Sequence, residues 1–283
     1  MSLVRELSAR KRVVAAELRP PRAELASSEG MDAWIDTYHA VRRLTGRDAF
    51  VFLTDSAVGA EEEDNLRHLV ANLGPDAPRD RVVPFLTSKH PLEYCLSYAD
   101  RARQYGFPTL VVLGGDRQLG PPRSVEHAYL LREAIRRRDA KLELGGWANP
   151  YADPGRQVAH LVDPRFTAEF FLTQIVTHHS IAPVERFLAE CRRREARLPG
   201  IFGVFFYRSA NPRTLATLGA FLPVPAEALT REFSSGATAQ QVCARTLRAM
   251  ADLGVEHFYI SNLPLIRTHE TLQEILDLAG FRG

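Results

Sequence analysis

The residues best suited to chemistry stand at the ends of short apolar runs. In "RVVAAELRPP" a run rich in Val and Ala delivers Glu17, and Pro20 and Pro21 stop any regular element just beyond it. A carboxyl group at an apolar rim loses hydration, which raises its pKa and suits it to donate a proton near neutral pH. The competing reading is an ion pair with Arg19 or Arg22 that has no catalytic part. "VVLGGDRQLGPP" ends a second run in Gly114 and Gly115, which let a backbone or ligand approach closely. Asp116 follows, placed either to face a developing cation or to cap a helix. "FFLTQIV" closes on Thr173 and Gln174, and polar groups in so apolar a run need partners or a ligand. The Gln174 amide carries both donors and an acceptor, which matches the edge of a heterocycle such as a pterin. His178 and His179 come next, but without a His-x-His or His-Glu-x-x-His spacing, so no metal site is expected.

These residues need a scaffold that brings strand ends together. Eight β-branched runs recur along the chain: Arg12–Leu18, Ala49–Thr54, Arg81–Thr87, Thr109–Gly115, Lys141–Trp147, Ala168–Val176, Gly200–Phe206 and Glu256–Ser261. Amphipathic segments lie between most of them. "MDAWIDTYHAVRRL" puts Trp34, Ile35, Tyr38, Val41 and Leu44 near one face. "LEYCLSYADRARQYG" stops at Gly106, and "ATAQQVCARTLRAMADLG" at Gly254. Near-continuous apolar strands alternating with helices imply a parallel sheet covered by helices. Eight such units in 283 residues favour an α/β fold of the closed (β/α)₈ TIM-barrel type over an open sheet. Residues 1–283 then form a single domain, with an extra helical segment at about 208–240. Barrel sites lie at the carboxyl ends of strands, so the mouth would collect Glu17, Thr54, Asp55, Thr87, Gly115, Asp116, Trp147, Gln174, Tyr207 and Asn262.

Composition narrows the partners. The 36 basic and 34 acidic residues nearly balance, which argues against a nucleic-acid binder. The basic run Leu131–Lys141 reads as the solvated face of a helix. The cysteines, Cys95, Cys191 and Cys243, are scattered, which fits a reducing compartment and small core residues. No run is long enough to span a membrane and the N-terminus lacks an apolar signal region, so a cytoplasmic protein is expected. A homo-oligomer formed through apolar helix surface stays open.

With these motifs in order, the chain resembles the methylenetetrahydrofolate reductase family. The resemblance lies in "AELRPPR", "FLTDSAVG", "VPFLTS", "LVVLGGD", "EFFLTQIV" and "GVEHFYISN", and it covers most of residues 12 to 262. It implies an oxidoreductase of one-carbon metabolism, on the route to methionine, that delivers hydride from NAD(P)H to the methylene bridge of a folate. By the resemblance, Glu17 is the general acid, and Asp116 stabilises the cation formed when the five-membered ring opens. Gln174 would bind the folate, with Phe206 and Tyr207 beside it. Thr54, Thr87, Gly114, Gly115 and Trp147 fall where the family holds its FAD.

Departures fall mainly on the flavin half. Gly114 replaces the family's Arg, Phe85 its His, and "WANPYADP" its aromatic motif after strand five. A dianionic pyrophosphate held by fewer cations is held more weakly. Arg117, Arg123, Arg156 and Arg165 are the candidates to compensate. Hydride could therefore pass through FAD or directly from the nicotinamide. The alternatives are a regulatory barrel that binds folate or a partner, and a methyltransferase-type barrel binding methyl-folate without redox chemistry.

Overall fold

Eight strands close on themselves in chain order: β1 (Val14–Leu18), β2 (Phe50–Leu53), β3 (Val82–Thr87), β4 (Thr109–Leu113), β5 (Glu143–Ala148), β6 (Phe170–Val176), β7 (Gly200–Phe205) and β8 (His257–Ser261). Every ladder is parallel, and β8 pairs with β1 to seal the barrel. The computed structural model describes residues 2–9, 12–21, 27–55, 66, 78–117 and 120–281. This is the (β/α)₈ barrel expected from the strand–helix alternation.

Strand alternation divides the apolar residues into two layers. Ala15, Phe50, Phe52, Val83, Phe85, Val111, Phe170, Leu172, Ile201 and Tyr259 fill the interior. Their sequence neighbours, such as Ala16, Val51, Leu86, Val112, Phe171 and Phe202, pack outward against the helices. A short N-terminal helix, α1 (Leu3–Ser8), sends Leu3 and Leu7 into the interior cluster. Ser2 Oγ donates to Glu143 Oε1 (2.7 Å), which fixes α1 at the amino-terminal end of β5. The barrel floor is thereby plugged at its amino-terminal end.

The outer helices are α2 (Ser27–Thr45), α3 (Leu92–Gln104), α4 (Ala128–Arg138), α5 (Pro154–Val162) and α6 (Ile181–Arg193). They continue with α7 (Pro212–Gly219), α8 (Ala226–Ser234), α9 (Ala239–Asp252) and α10 (Thr268–Ala279). Gly106 and Gly254 follow α3 and α9 with φ of +86° and +92°, a conformation that suits glycine. Between β7 and α9, helices α7 and α8 form a small satellite core through Leu215, Leu229, Val242 and Tyr207. Among the described residues, no helix is long and apolar enough to cross a membrane.

Two surface expectations are corrected. Ile35 points to solvent, while Trp34, Val41 and Leu44 of the same helix are buried. The basic run on α4 is not wholly a solvated face, because Arg132 is 3% exposed. Its Nε donates to Phe166 O (2.8 Å), its Nη1 donates to Val112 O (3.1 Å), and its guanidinium lies over the Phe166 ring. Burial lowers its pKa to about 10, with Glu169 pulling the other way, so it stays charged. A cation fits there because two carbonyls and an aromatic face converge on it.

Candidate functional site at the barrel mouth

The alternation that places Ala15, Phe52, Phe85 and Tyr259 inside brings Glu17, Thr54, Thr87 and Ser261 inward at the carboxyl ends. Glu17 stands in register with Phe52 of β2 and Ser261 of β8. Some of its surface is accessible, yet protein surrounds the carboxyl group closely, and lost hydration raises its pKa to about 7. A hydrogen bond from the Ser261 side chain and the charge of Arg19 act in the opposite direction without outweighing burial. Arg19 therefore supplies a field and no ion pair of the strength that would hold Glu17 ionised. Arg22 lies outside the described residues.

Next to Glu17, Tyr259 is 3% exposed, and burial together with the Glu17 charge raises its pKa well above the ordinary value. Its hydroxyl donates to Thr173 O of β6 at 2.7 Å. The β6–β7 register shifts between Leu172 and Ile175, which frees the Thr173 and Gln174 backbone from the regular ladder. Thr173 Oγ1 donates to Gln174 O (2.8 Å) and accepts from Gly203 N (3.1 Å). The polar pair that looked out of place in an apolar strand thus serves the bulge. Gln174 Oε1 accepts from Ile175 N (2.9 Å), leaving its Nε2 donors without a partner among the described residues.

Across the mouth, Thr87 is committed to the protein. Asp55 Oδ2 accepts from both Thr87 N (2.6 Å) and Thr87 Oγ1 (2.9 Å), and His90 Nε2 lies 3.0 Å from the same carboxylate. Among the described residues, Thr54 Oγ1 makes one long contact, 3.4 Å, to Leu18 O. Trp147 is 37% exposed and offers aromatic surface. The contribution of His90 could not be seen in sequence, because nothing in its local pattern links it to Asp55.

The Gly114–Asp116 turn is held from outside the barrel. Ser88 Oγ donates to Gly114 O (3.1 Å), and Arg123 Nη2 donates to Gly115 O. A Cβ at Gly114 would stand 2.7 Å from Arg123 Cζ, so a guanidinium covers the very position where the resembling family carries an Arg. Burial and Arg117 lower the Arg123 pKa, and Asp116 raises it, so Asp116 shares its field with a cation. Of the other compensating candidates, Arg165 is exposed and bound to Asp163 at 2.7 Å.

Two expected substrate residues lie elsewhere. Phe206 belongs to the helix-facing layer, and Tyr207 packs into the satellite core of α7, α8 and α9. The buried Tyr207 hydroxyl has no hydrogen-bond partner among the described residues. Phe206 continues the outward row of Phe202 and Val204, while Tyr207, by alternation an inward position, lies past the end of β7 and turns into the satellite core. Ser261 is a mouth residue that the strand-end reading passed over by one position, in favour of Asn262, whose Nδ2 is spent on Phe206 O (3.0 Å).

The strand order and closure define a (β/α)₈ barrel, a fold whose βα loops gather at the carboxyl ends of the strands. No protein-family profile matches the chain, and no curated protein matches it in sequence. Solved structures do share the fold. An uncharacterized protein from Clostridium thermocellum, which binds two copies of 5-methyl-5,6,7,8-tetrahydrofolic acid, superposes with a TM-score of 0.68 at 14% identity. The match covers 98% of this chain and 97% of that one. A protein from Aquifex aeolicus VF5 superposes with a TM-score of 0.51 at 11% identity, over 99% and 96% of the two chains.

Proposed function

We propose that this protein binds a reduced folate in its barrel mouth and, with NAD(P)H, reduces the methylene bridge of 5,10-methylenetetrahydrofolate to a methyl group. The observation that carries the reading is Glu17, a carboxyl group with a pKa of about 7 at the end of β1. Such a group is partly protonated at neutral pH and returns to its acid form easily, as a general acid must. The Clostridium thermocellum protein supports the folate part, since it has the same fold over its length and binds methyl-folate.

In this reading Glu17 gives its proton to a nitrogen of the five-membered ring. The C–N bond breaks with its electron pair on that nitrogen, and an iminium cation forms at the bridge carbon. Asp116 faces the cation, with Arg123 moderating its charge. The Gln174 Nε2 donors meet an acceptor on the pterin edge. The nicotinamide of NAD(P)H delivers hydride to the iminium carbon, leaving NAD(P)⁺ and methyl-folate, so charge and electrons balance.

FAD fits the residues expected to hold it poorly. Thr87 is bound to Asp55, and the open face of Gly114 is filled by Arg123. No step is therefore assigned to flavin, and direct transfer in a ternary complex is the preferred route. The test is NAD(P)H oxidation with 5,10-methylenetetrahydrofolate, in wild type and Glu17→Gln, without added flavin. Loss of general-acid catalysis costs ~10²–10⁴ in rate. Equal turnover in the two proteins, or turnover only when FAD is supplied, would overturn this mechanism.

A second reading, a barrel that binds methyl-folate without redox chemistry, is favoured by the ligand of the Clostridium thermocellum protein. Tight methyl-folate binding with no nicotinamide oxidation in either direction would select it.

A further inference from the structure

Beside the mouth, the loop after β6 and the inserted helices bring three ligand-type side chains together. His178 and His179 follow β6, Glu232 lies on α8, and Arg245 and Thr246 lie on α9. His179 Nε2 is 2.9 Å and His178 Nε2 is 3.3 Å from one oxygen, Glu232 Oε2. All three donor atoms fall within 4.8 Å of one another. Donors on a tetrahedral Zn²⁺, with bonds of about 2.0–2.1 Å, stand roughly 3.3 Å apart. The two distances to Glu232 Oε2, 2.9 and 3.3 Å, are close to edges of that tetrahedron.

The surroundings orient these donors as metal sites orient theirs. His178 Nδ1 lies 2.7 Å from Thr246 Oγ1, whose own hydroxyl points to Val242 O at 3.5 Å. In the tautomer that donates from Nδ1 to Thr246 Oγ1, the His178 lone pair falls on Nε2, towards Glu232. A lone pair and a carboxylate oxygen at this distance repel unless a cation or proton lies between them. Arg245 binds the other oxygen, Oε1, and so keeps Oε2 turned to the imidazoles. The three side chains are 11–16% exposed, enough for a fourth ligand to enter.

We infer that His178, His179 and Glu232 form a divalent transition-metal site, best matched by Zn²⁺, that ties α8 to the loop after β6. Two imidazoles and one carboxylate suit Zn²⁺ over the oxygen-seeking Mg²⁺ and Ca²⁺. Neither the spacing of His178 and His179 nor their neighbours in sequence suggested it, because the third ligand lies 53 residues from His179.

Chelator-treated protein titrated with Zn²⁺ alone, by calorimetry, tests the site, with Co²⁺ as the spectroscopic reporter. The expected result is one equivalent bound, tetrahedral-type Co²⁺ bands and a higher Tm with Zn²⁺. His178→Ala/His179→Ala abolishes these effects, and Glu232→Gln weakens them. Thr246→Val keeps every ligand and costs about 10–100-fold in affinity, the usual toll of losing a hydrogen bond to a ligating His. Circular dichroism confirms folding of each variant. The Co²⁺ spectrum of the wild type decides the matter even if the double variant does not fold. Zn²⁺ binding no tighter in wild type than in Glu232→Gln, or octahedral Co²⁺ bands, would overturn the inference. Methyl-folate affinity, measured alongside, reports on the mouth independently.

Discussion

The Tyr259 hydroxyl reaches past β7 to the Thr173 carbonyl, 2.7 Å away on β6, and the residue it passes is Gly203. A Cβ at Gly203 would stand 2.4 Å from both Cζ and the hydroxyl oxygen of Tyr259. Gly203→Ala is therefore expected to destabilise by about 1–3 kcal/mol through overpacking. In a thermal melt, Gly203→Ala/Tyr259→Leu should recover part of that loss, since the smaller side chain makes room. A double variant whose loss equals the sum of the two singles would remove the coupling argued here.

Gly114 offers a contrast. Its near contact is the guanidinium end of Arg123, on a flexible stem, where Gly203 faces a rigid ring. Gly114→Ala should cost under ~1 kcal/mol, because the arginine can swing aside. Ligand affinity is the sensitive readout, and Gly114→Ala and Arg123→Ala should change it in the same direction. A large fall in Tm for Gly114→Ala would mean that Arg123 has nowhere to go.

Glu17 makes stability depend on pH. It titrates near 4.5 in the unfolded chain and near 7 in the fold, so the native state binds the proton more tightly. Its favourable contribution is complete below about pH 4.5 and is lost as pH rises through 7. A shift of that size is on the order of 3 kcal/mol. Glu17→Gln, which cannot ionise, should gain stability relative to wild type between pH 5 and about pH 8, measured by urea unfolding. A stability difference that stays constant over this range would disprove the raised pKa.

Arg132 holds two carbonyls and an aromatic ring at once. Arg132→Met leaves Phe166 O and Val112 O buried without that donor, at about 1–3 kcal/mol for each. Arg132→Lys should not restore stability, because one ammonium lacks the planar fork. Equal denaturation midpoints for Arg132→Lys and wild type would show that charge alone suffices.

The strands could be read from sequence to within two residues at each end, from Val14–Leu18 to His257–Ser261. Strands buried on both faces are near-continuous apolar runs, and such runs stand out. Glu17, Thr54, Thr87 and Trp147 were found because the end of a strand implies the mouth. What eluded that reading depends on pairing across the chain. Arg132 looked like its exposed neighbours until Phe166 and Val112 gave it partners. His90 gained its place from Asp55, and the Thr173–Gln174 bulge from its pairing with β7. Phe206 sits in the outward row of β7 with Phe202 and Val204, and Tyr207 takes a direction that the pleat does not set, because it lies past the end of the strand.

The ladder that joins β1 to β8 has a consequence for biosynthesis. Glu17 is translated long before Tyr259 and Ser261, which help enclose it and emerge only with the last strand of the barrel. On the ribosome this residue is an ordinary hydrated glutamate. It acquires its unusual proton affinity at the moment of closure, so a partly made chain carries the acid in sequence and lacks it in chemistry.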